Sequence, residues 1–359
     1  MSEGSGPAPI RVGLLFDFPQ GDGGQSFEEA VHLGLDDLGA AGRIDRPVEF
    51  VHRHARGLPL GTEHDVVQAF LELEEAGVVL ILGPSISDNG LIVQPLADAA
   101  ELPCINYTGG ERTRGEFMFH YQIGSLEEEP AVLAARLAER GLGRAAVIHD
   151  RSPVGSRYAE CFEEARAGLG LDVSGTAAIS PLSEDVREVI ERLRETGPDA
   201  LVYLGLGVTS RAVALALADT GWDVPVVANS ALMFGYARPD WRDGWAGWEY
   251  LDGVADDNRM RAQLAERSKR AAAGPIGCAA YDMGRLVGEA IARAHHLTRA
   301  GLKEGLERVK QLPATSGVDG TTMGFGTYDH AALKGRYLVL REWRDGKTVQ
   351  VATSPPAFL

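Results

Sequence analysis

What this sequence has little of bounds it first. It holds only three cysteines in 359 residues, with no CxxC pair and no zinc-like Cys/His spacing. Neither a disulfide framework nor a structural zinc site is therefore expected. Cys104, Cys161 and Cys278 lie in apolar or helical-looking runs and read as buried free thiols. Basic charge is short: 35 Lys and Arg against 51 Asp and Glu leave a net charge of −16. That balance excludes nucleic acid, whose phosphates need a basic surface, and binding to an anionic membrane surface. No apolar run approaches the roughly 20 residues that span a bilayer, so no direct membrane insertion is expected. The start, MSEGSGPAPI, lacks the basic and apolar regions of a secretory signal. As written the chain reads as cytoplasmic, and as extracytoplasmic or periplasmic only if a signal has been removed.

Catalytic motifs are missing as well. Gly21, Gly23 and Gly24 follow the apolar run from Val12 to Phe18, the place of a dinucleotide loop. Yet G-D-G-G-Q-S is not GxGxxG, and the second strand ends in EFVHRHARG, with bases where the ribose-binding acid belongs. Gly-Lys-Thr at 346–348 lacks P-loop spacing, and no serine lies in GxSxG. His52 and His54 share a strand face without a third ligand and read as a surface pair. Glu127, Glu128 and Glu129 open a predicted helix, where negative charge complements the dipole, and read as structural. No catalytic residue, metal or cofactor is expected, and the chain is not read as an enzyme.

What is present is alternation. Apolar runs at 46–55, 77–83, 103–109 and 116–124 are separated by amphipathic stretches at 62–76 and 89–101. The pattern restarts with helices predicted at 127–140, 155–168, 183–196 and 209–220 between strands at 144–150, 171–179, 200–205 and 224–230. Such βα alternation with little polar interruption specifies parallel sheets buried on both faces. The fold class is α/β, with two doubly wound Rossmann-like lobes. Helices follow at 257–272, 275–296 and 301–311, then a hairpin turned at Asp345-Gly346. Trp241, Trp245 and Trp248 recur at helical spacing, as a packing stripe or as an aromatic wall.

Ligands of such sheets collect where strands end and helices begin. Those loops are FDFPQGDGG, GPSISDNG, NYTGGERTR, HDRSPVGSRY, GLGVTS and NSALMFGY, rich in small hydroxyls, amides and aromatics and poor in acid–base pairs. In order and spacing, GVVLILGPSISDNGLIVQPLADAAELPCINYTGGE, RAAVIHDRSPVGSRYAECFEEA and DALVYLGLGVTSRAVALALADTGWDVPVVANSALM resemble type I periplasmic binding proteins. The resemblance is to the Leu/Ile/Val-binding branch of the solute-binding proteins of ABC importers. VGLLFDF, GPIGCAAYDMGRLVGEAI and GFGTYDHAALKGRYLVLREW extend it over nearly the whole chain.

The resemblance implies a lobe from 9–123 and 256–327, a second from 124–252 and 329–359, and hinge crossings near 124, 252–255 and 328–335. It also implies a small-molecule ligand trapped between the lobes by hinge closure, with a membrane permease as partner. By position, the α-carboxylate clamp falls at Ser87, Gly109 and Gly110, with Asn106, Tyr107 and Thr108 beside it. Ser87 also reads as a helix cap, a role compatible with ligand contact. Phe16, Phe18 and Gln20 fall nearest the ligand on the first loop, one phenylalanine in the core and the other on the rim. The glutamate that holds an α-ammonium falls at Ser230, in a segment without any acid, and two tyrosines fall at Val154 and Gly207. Leu206, Met233 and Phe234 then line a less polar wall, and Tyr281 either reaches the cleft or packs in the core. The expected ligand is an aromatic or alicyclic compound less polar than an amino acid, unless Asp17, Asp88 or Glu111 turns inward to hold an amine. A cytosolic ligand sensor on the same scaffold is the alternative, and a branched-chain amino acid binder the third.

Overall fold

The computed structural model describes residues 8–17, 23–234, 238–268 and 274–353. The chain forms two compact units, one of residues 1–122 and 258–334, the other of residues 123–257 and 335–359. It passes between them at 122/123, 257/258 and 334/335.

Unit 1 opens with β1 (Ile10–Phe16), α1 (Gly23–Ala40), β2 (Val48–His54), α2 (Glu63–Glu75), β3 (Leu80–Leu82), α3 (Ser87–Ala99), β4 (Cys104–Asn106) and β5 (Met118–His120). The five strands form one parallel sheet in the order β2-β1-β3-β4-β5. β3, β4 and β5 are buried throughout, and β1 at all but Arg11, whereas β2, at the edge, has no buried residue. A strand covered by helices on both faces must be apolar along its length, and an edge strand need not be. That is why IRVGLLF and LIL read as apolar runs while VEFVHRH carries four charged or imidazole side chains.

Unit 2 repeats the plan with α4 (Glu129–Glu139), β6 (Arg144–Asp150), α5 (Pro153–Ala167), β7 (Asp172–Ile179), α6 (Arg187–Glu195), β8 (Ala200–Leu204), α7 (Ser210–Thr220), β9 (Val226–Ala228), α8 (Ala231–Phe234) and β10 (Glu249–Asp252). Unit 1 is then completed by α9 (Arg259–Arg267), α10 (Pro275–Arg293) and α11 (Arg299–Glu307), with a small antiparallel sheet of β11 (Leu312–Pro313), β12 (Thr322–Met323) and β13 (Leu333–Lys334). β13 thus belongs to unit 1, so the second lobe resumes at Gly335, six residues later than the expected 329. The hairpin β14 (Val339–Arg344) and β15 (Lys347–Thr353) returns to unit 2 and extends its sheet to β15-β14-β10-β9-β8-β6-β7, antiparallel at its hairpin end. Its turn carries positive φ at both Asp345 and Gly346, the conformation a two-residue hairpin needs.

Each unit has its own core. In unit 1, Leu15, Phe70, Leu73, Ile81 and Met118 pack between sheet and helices, and α10 lies against α1 where Gly284 meets the Val31 backbone. In unit 2, Trp245 and Trp248 are buried with Tyr203, Tyr250 and Trp343, and Trp241 packs against them partly buried. The tryptophan repeat is a packing stripe. Arg136 of α4 and Arg140, which caps its C-terminus, both grip Glu249 of β10, at 2.7 and 3.0 Å, tying the helix to the sheet.

Candidate functional site

Both sheets end their strands in loops braced by buried carboxylates. In unit 1, Asp17 follows the last residue of β1. It accepts hydrogen bonds from the backbone N–H of Ser85 and of Ile86, each at 2.9 Å, from the Ser85 hydroxyl, and from Asn89 Nδ2 at 2.9 Å. The same Asn89 accepts from the Leu58 N–H at 2.8 Å. One carboxylate and one amide therefore join the ends of β1, β2 and β3. Burial raises the Asp17 carboxyl above the ordinary aspartate value despite these donors.

Unit 2 uses the same device. Asp150 ends β6 and accepts from the Leu206 N–H at 2.6 Å and the Thr209 hydroxyl at 3.1 Å. Burial pushes its carboxyl up to about 6. Since β6 sits in its sheet as β1 does in the other, and β8 as β3, Asp17 and Asp150 are equivalent braces in a duplicated architecture.

Around the expected carboxylate clamp, Ser87 is the first residue of α3 and 6% exposed. Ser87 is not the helix cap: the N-cap is Ile86, whose apolar side chain makes no capping hydrogen bond, and Asn89 instead binds Leu58 and Asp17. Gly110 stands beside Ser87, and a Cβ there would lie 3.2 Å from Ser87 Cβ and Oγ. Asn106 is wholly buried at the end of β4; its Oδ1 accepts from Thr108 Oγ1 at 3.0 Å, while its Nδ2 has no partner among the described residues. Thr108 is also held by His120, whose Nε2 donates to the Thr108 carbonyl at 2.8 Å and whose Nδ1 accepts from Arg114 at 3.2 Å. Burial and Arg114 push this imidazole down to about 3, so it stays neutral and keeps that tautomer. Tyr107 stacks on Phe27 at 4.9 Å, and Gly109 is half-buried.

Phe16 packs against Phe27 at 5.8 Å and under His54 at 5.2 Å, and is itself buried. His52 also stacks over Phe16, at 6.2 Å, and pairs with Glu28 at 2.9 Å. Phe18 and Gln20, and the side chain of Phe234, lie outside the described residues. Tyr281 packs in the core: its hydroxyl donates to Asp37 at 2.6 Å, and Asp37 pairs with Arg267. Asp37 is 14 residues beyond the start of α1, which at 1.5 Å per residue is about 21 Å from the strand-end loops. None of the three acids left open in the sequence offers itself simply: Asp17 is consumed, Asp88 is 4% exposed, and Glu111 faces solvent beside Arg114 at 3.7 Å.

In unit 2 the sequence misled on one residue. Glu129 begins α4 but does not simply face the dipole. It is fully buried, and its carboxylate accepts from the N–H groups of Ser125 and Ser230, both at 2.6 Å, from the Ser230 hydroxyl at 2.8 Å and from Tyr158 Oη at 3.1 Å. Burial pushes this carboxyl up to about 7. An acid absent from VVANSALMF is therefore brought behind Ser230 from 101 residues away. Tyr158 sits one helical turn beyond Val154, on the same face, and supplies a hydroxyl that Val154 lacks. Gly207 has a positive φ of 85° and its carbonyl accepts from Ser210 Oγ at 2.8 Å. Tyr203 reaches Thr209 Oγ1 at 3.1 Å nearby, while Leu206 is 5% exposed and Met233 packs on the core. Local spacing could have signalled part of this, since Ser125 and Glu129 lie only four residues apart: the Ser125 N–H donates to Glu129 and the Ser125 hydroxyl accepts from the Glu128 N–H at 2.9 Å.

Gly124 seats the cluster. A Cβ there would overlap Ser230 Oγ and Glu129 Oε1. Gly124→Ala should therefore destabilise unit 2 by about 1–3 kcal/mol, the usual cost of overpacking. Unfolding in urea followed by tryptophan fluorescence reads it, because all five tryptophans lie in that unit. An unchanged midpoint would show that the cluster gives way freely.

The chain matches the family model of periplasmic binding proteins over residues 9–347. Among curated proteins, none matches it. Similar solved structures include the Thermotoga maritima leucine-binding protein LivK, with a TM-score of 0.80 and 15% identity over 98% of this chain and 100% of that one. LivJ from Streptococcus pneumoniae, solved with isoleucine, has a TM-score of 0.81 and 16% identity over 97% and 100%. A solute-binding protein from R. palustris, solved with 4-hydroxybenzoate, has a TM-score of 0.78 and 16% identity over 97% and 98%. Members of this family bind solutes for ABC transporters rather than transform them, and no described helix is long and apolar enough to cross a membrane. The chain belongs to the periplasmic binding protein family, with the type I fold of two doubly wound units.

Proposed function

We propose that this protein binds an aromatic or alicyclic acid or amide that carries no ammonium group, and delivers it to an ABC importer. The observation that carries this reading is Ser230. By the resemblance the family's ammonium-holding glutamate falls at Ser230, and both the N–H and the hydroxyl of Ser230 are spent on Glu129, itself fully buried and already holding four hydrogen bonds. Burying an ammonium against such a surface, without a carboxylate in direct contact, costs several kcal/mol. An apolar ring gains roughly 25 cal/mol per Å² removed from water. In unit 1 the unpartnered Asn106 Nδ2 and the close pair of Ser87 and Gly110 suit a carboxylate or amide oxygen. The 4-hydroxybenzoate bound by one structural neighbour indicates that the fold admits an aromatic acid.

Thermal-shift measurements on matched pairs test the reading. Leucine and valine are compared with the same skeletons lacking the amine, beside substituted benzoates. Stabilisation by a deaminated or aromatic acid, with the amino acids inert, is the expected result. Stabilisation by leucine or valine alone would overturn it.

A further inference from the structure

Three glutamates stand in a row at the start of α4, and only one turns inward. Glu127 pairs with Arg157 at 3.4 Å, and Glu128 accepts from Tyr337 Oη at 2.7 Å. Glu129 instead collects protons. Its Oε1 accepts from the Ser125 N–H, the Ser230 hydroxyl and the Tyr158 hydroxyl, and its Oε2 from the Ser230 N–H. A serine hydroxyl has one proton and two lone pairs. With that proton committed to Glu129 at 2.8 Å, Ser230 Oγ can only accept from anything else it meets. A lone serine adapts to either partner by rotating its proton; this one is denied that choice by the acid behind it. The Tyr158 proton is committed in the same direction, at 3.1 Å.

We propose that Glu129, without touching the ligand, fixes Ser230 as an acceptor and so selects a ligand bearing an O–H or N–H donor at the end that meets it. The inference rests on the reading of Ser230 as a ligand contact given above, and it narrows the ligand class to one with a donor in addition to its acid or amide group. An ether, ester or ring-methyl group placed there would leave Ser230 Oγ unpaired, or set lone pair against lone pair. Discrimination of this kind is strong because a buried polar group left unmatched pays its full desolvation cost.

Isothermal titration at pH 8.5 with two ligand series tests it. One series is 4-hydroxy-, 4-methoxy- and 4-methylbenzoate; the other is 2-hydroxyisocaproate, leucine and isocaproate. The donor-bearing member of any series that binds should bind at least tenfold tighter than its partners without a donor. Glu129→Gln should cut that preference below threefold even where the folded protein persists, because a side-chain amide can donate to Ser230 as well as accept from it. Methoxy- or methylbenzoate matching the hydroxy compound, or a preference that survives Glu129→Gln, would overturn the inference. So would carbon-13 NMR of labelled glutamate carboxyls showing the Glu129 signal, assigned by its loss in Glu129→Gln, still protonated at pH 8.5. Leucine binding tightest would defeat the ammonium-free ligand class while supporting the acceptor role of Ser230. If neither series binds, that ligand class fails and the carboxyl spectrum alone decides, an ionised Glu129 upholding the inference.

Discussion

Asp17→Ala is expected to cost unit 1 about 3–5 kcal/mol of stability, the largest effect of any single substitution considered. The carboxylate is 2% exposed and accepts from two backbone N–H groups, a hydroxyl and an amide. The Ser85 hydroxyl and the Asn89 amide can turn elsewhere. The N–H groups of Ser85 and Ile86 cannot, and each buried donor left without a partner costs roughly 1–3 kcal/mol. The loss should also loosen the start of α3 and the loop at Leu58, since Asn89 joins them through this carboxylate. Urea unfolding followed by far-ultraviolet circular dichroism measures it. Asp17→Asn, which keeps the shape and one acceptor, should fall between wild type and alanine. A loss below about 1 kcal/mol in the alanine variant would mean that water replaces the carboxylate at little cost.

The second large effect is a pH dependence with an unusual sign. Most carboxylates that gain partners on folding have lowered pKa values and stabilise a protein as pH rises. Glu129 goes the other way: burial lifts its carboxyl from 4.5 to about 7 in the native state. Below 4.5 both states hold the proton, and the group contributes nothing to the pH dependence. Between 4.5 and about 7 the native state keeps a proton that the unfolded chain has released. Stability then falls by up to about 1.4 kcal/mol per pH unit, roughly 3 kcal/mol in all, and levels off above that window. Asp150, raised from 3.8 to about 6, adds the same sign at lower pH. The isolating measurement is therefore a comparison of slopes. Between pH 5 and pH 8.5 the wild type should lose roughly 2.5 kcal/mol more than Glu129→Gln, read from urea midpoints by tryptophan fluorescence. Parallel profiles would show that Glu129 carries no such penalty. Absolute stability of the variant is not the readout, because a side-chain amide facing the Ser230 N–H destabilises on its own account.

The two effects differ in origin although both acids are buried. Asp17 matters through the donors it satisfies, and Glu129 through the charge it must carry above neutrality. Both sit behind loops at strand ends, so each is a positioning residue. The Asp17 and Asp150 pair shows the device at equivalent points of both sheets, where a strand-end carboxylate orients the backbone of the neighbouring strand's loop.

By itself the sequence determined the α/β class, the restart of the βα series, the hairpin at Asp345-Gly346 and the apolar character of the central strands. These are legible because burial on both faces and φ > 0 at a tight turn act on residues close together in the chain. Ser125 and Glu129, four residues apart, were within reach of the same local reasoning. Only the tertiary structure decided that Glu129 stands behind Ser230, that Tyr158 restores a hydroxyl beside Val154, and that Tyr281 turns to Asp37 rather than to the strand ends. Asp17 and Ser85 lie 68 residues apart, and Glu129 and Ser230 lie 101 apart. A buried carboxylate must find its donors wherever packing places them, and no periodicity in the chain records that choice.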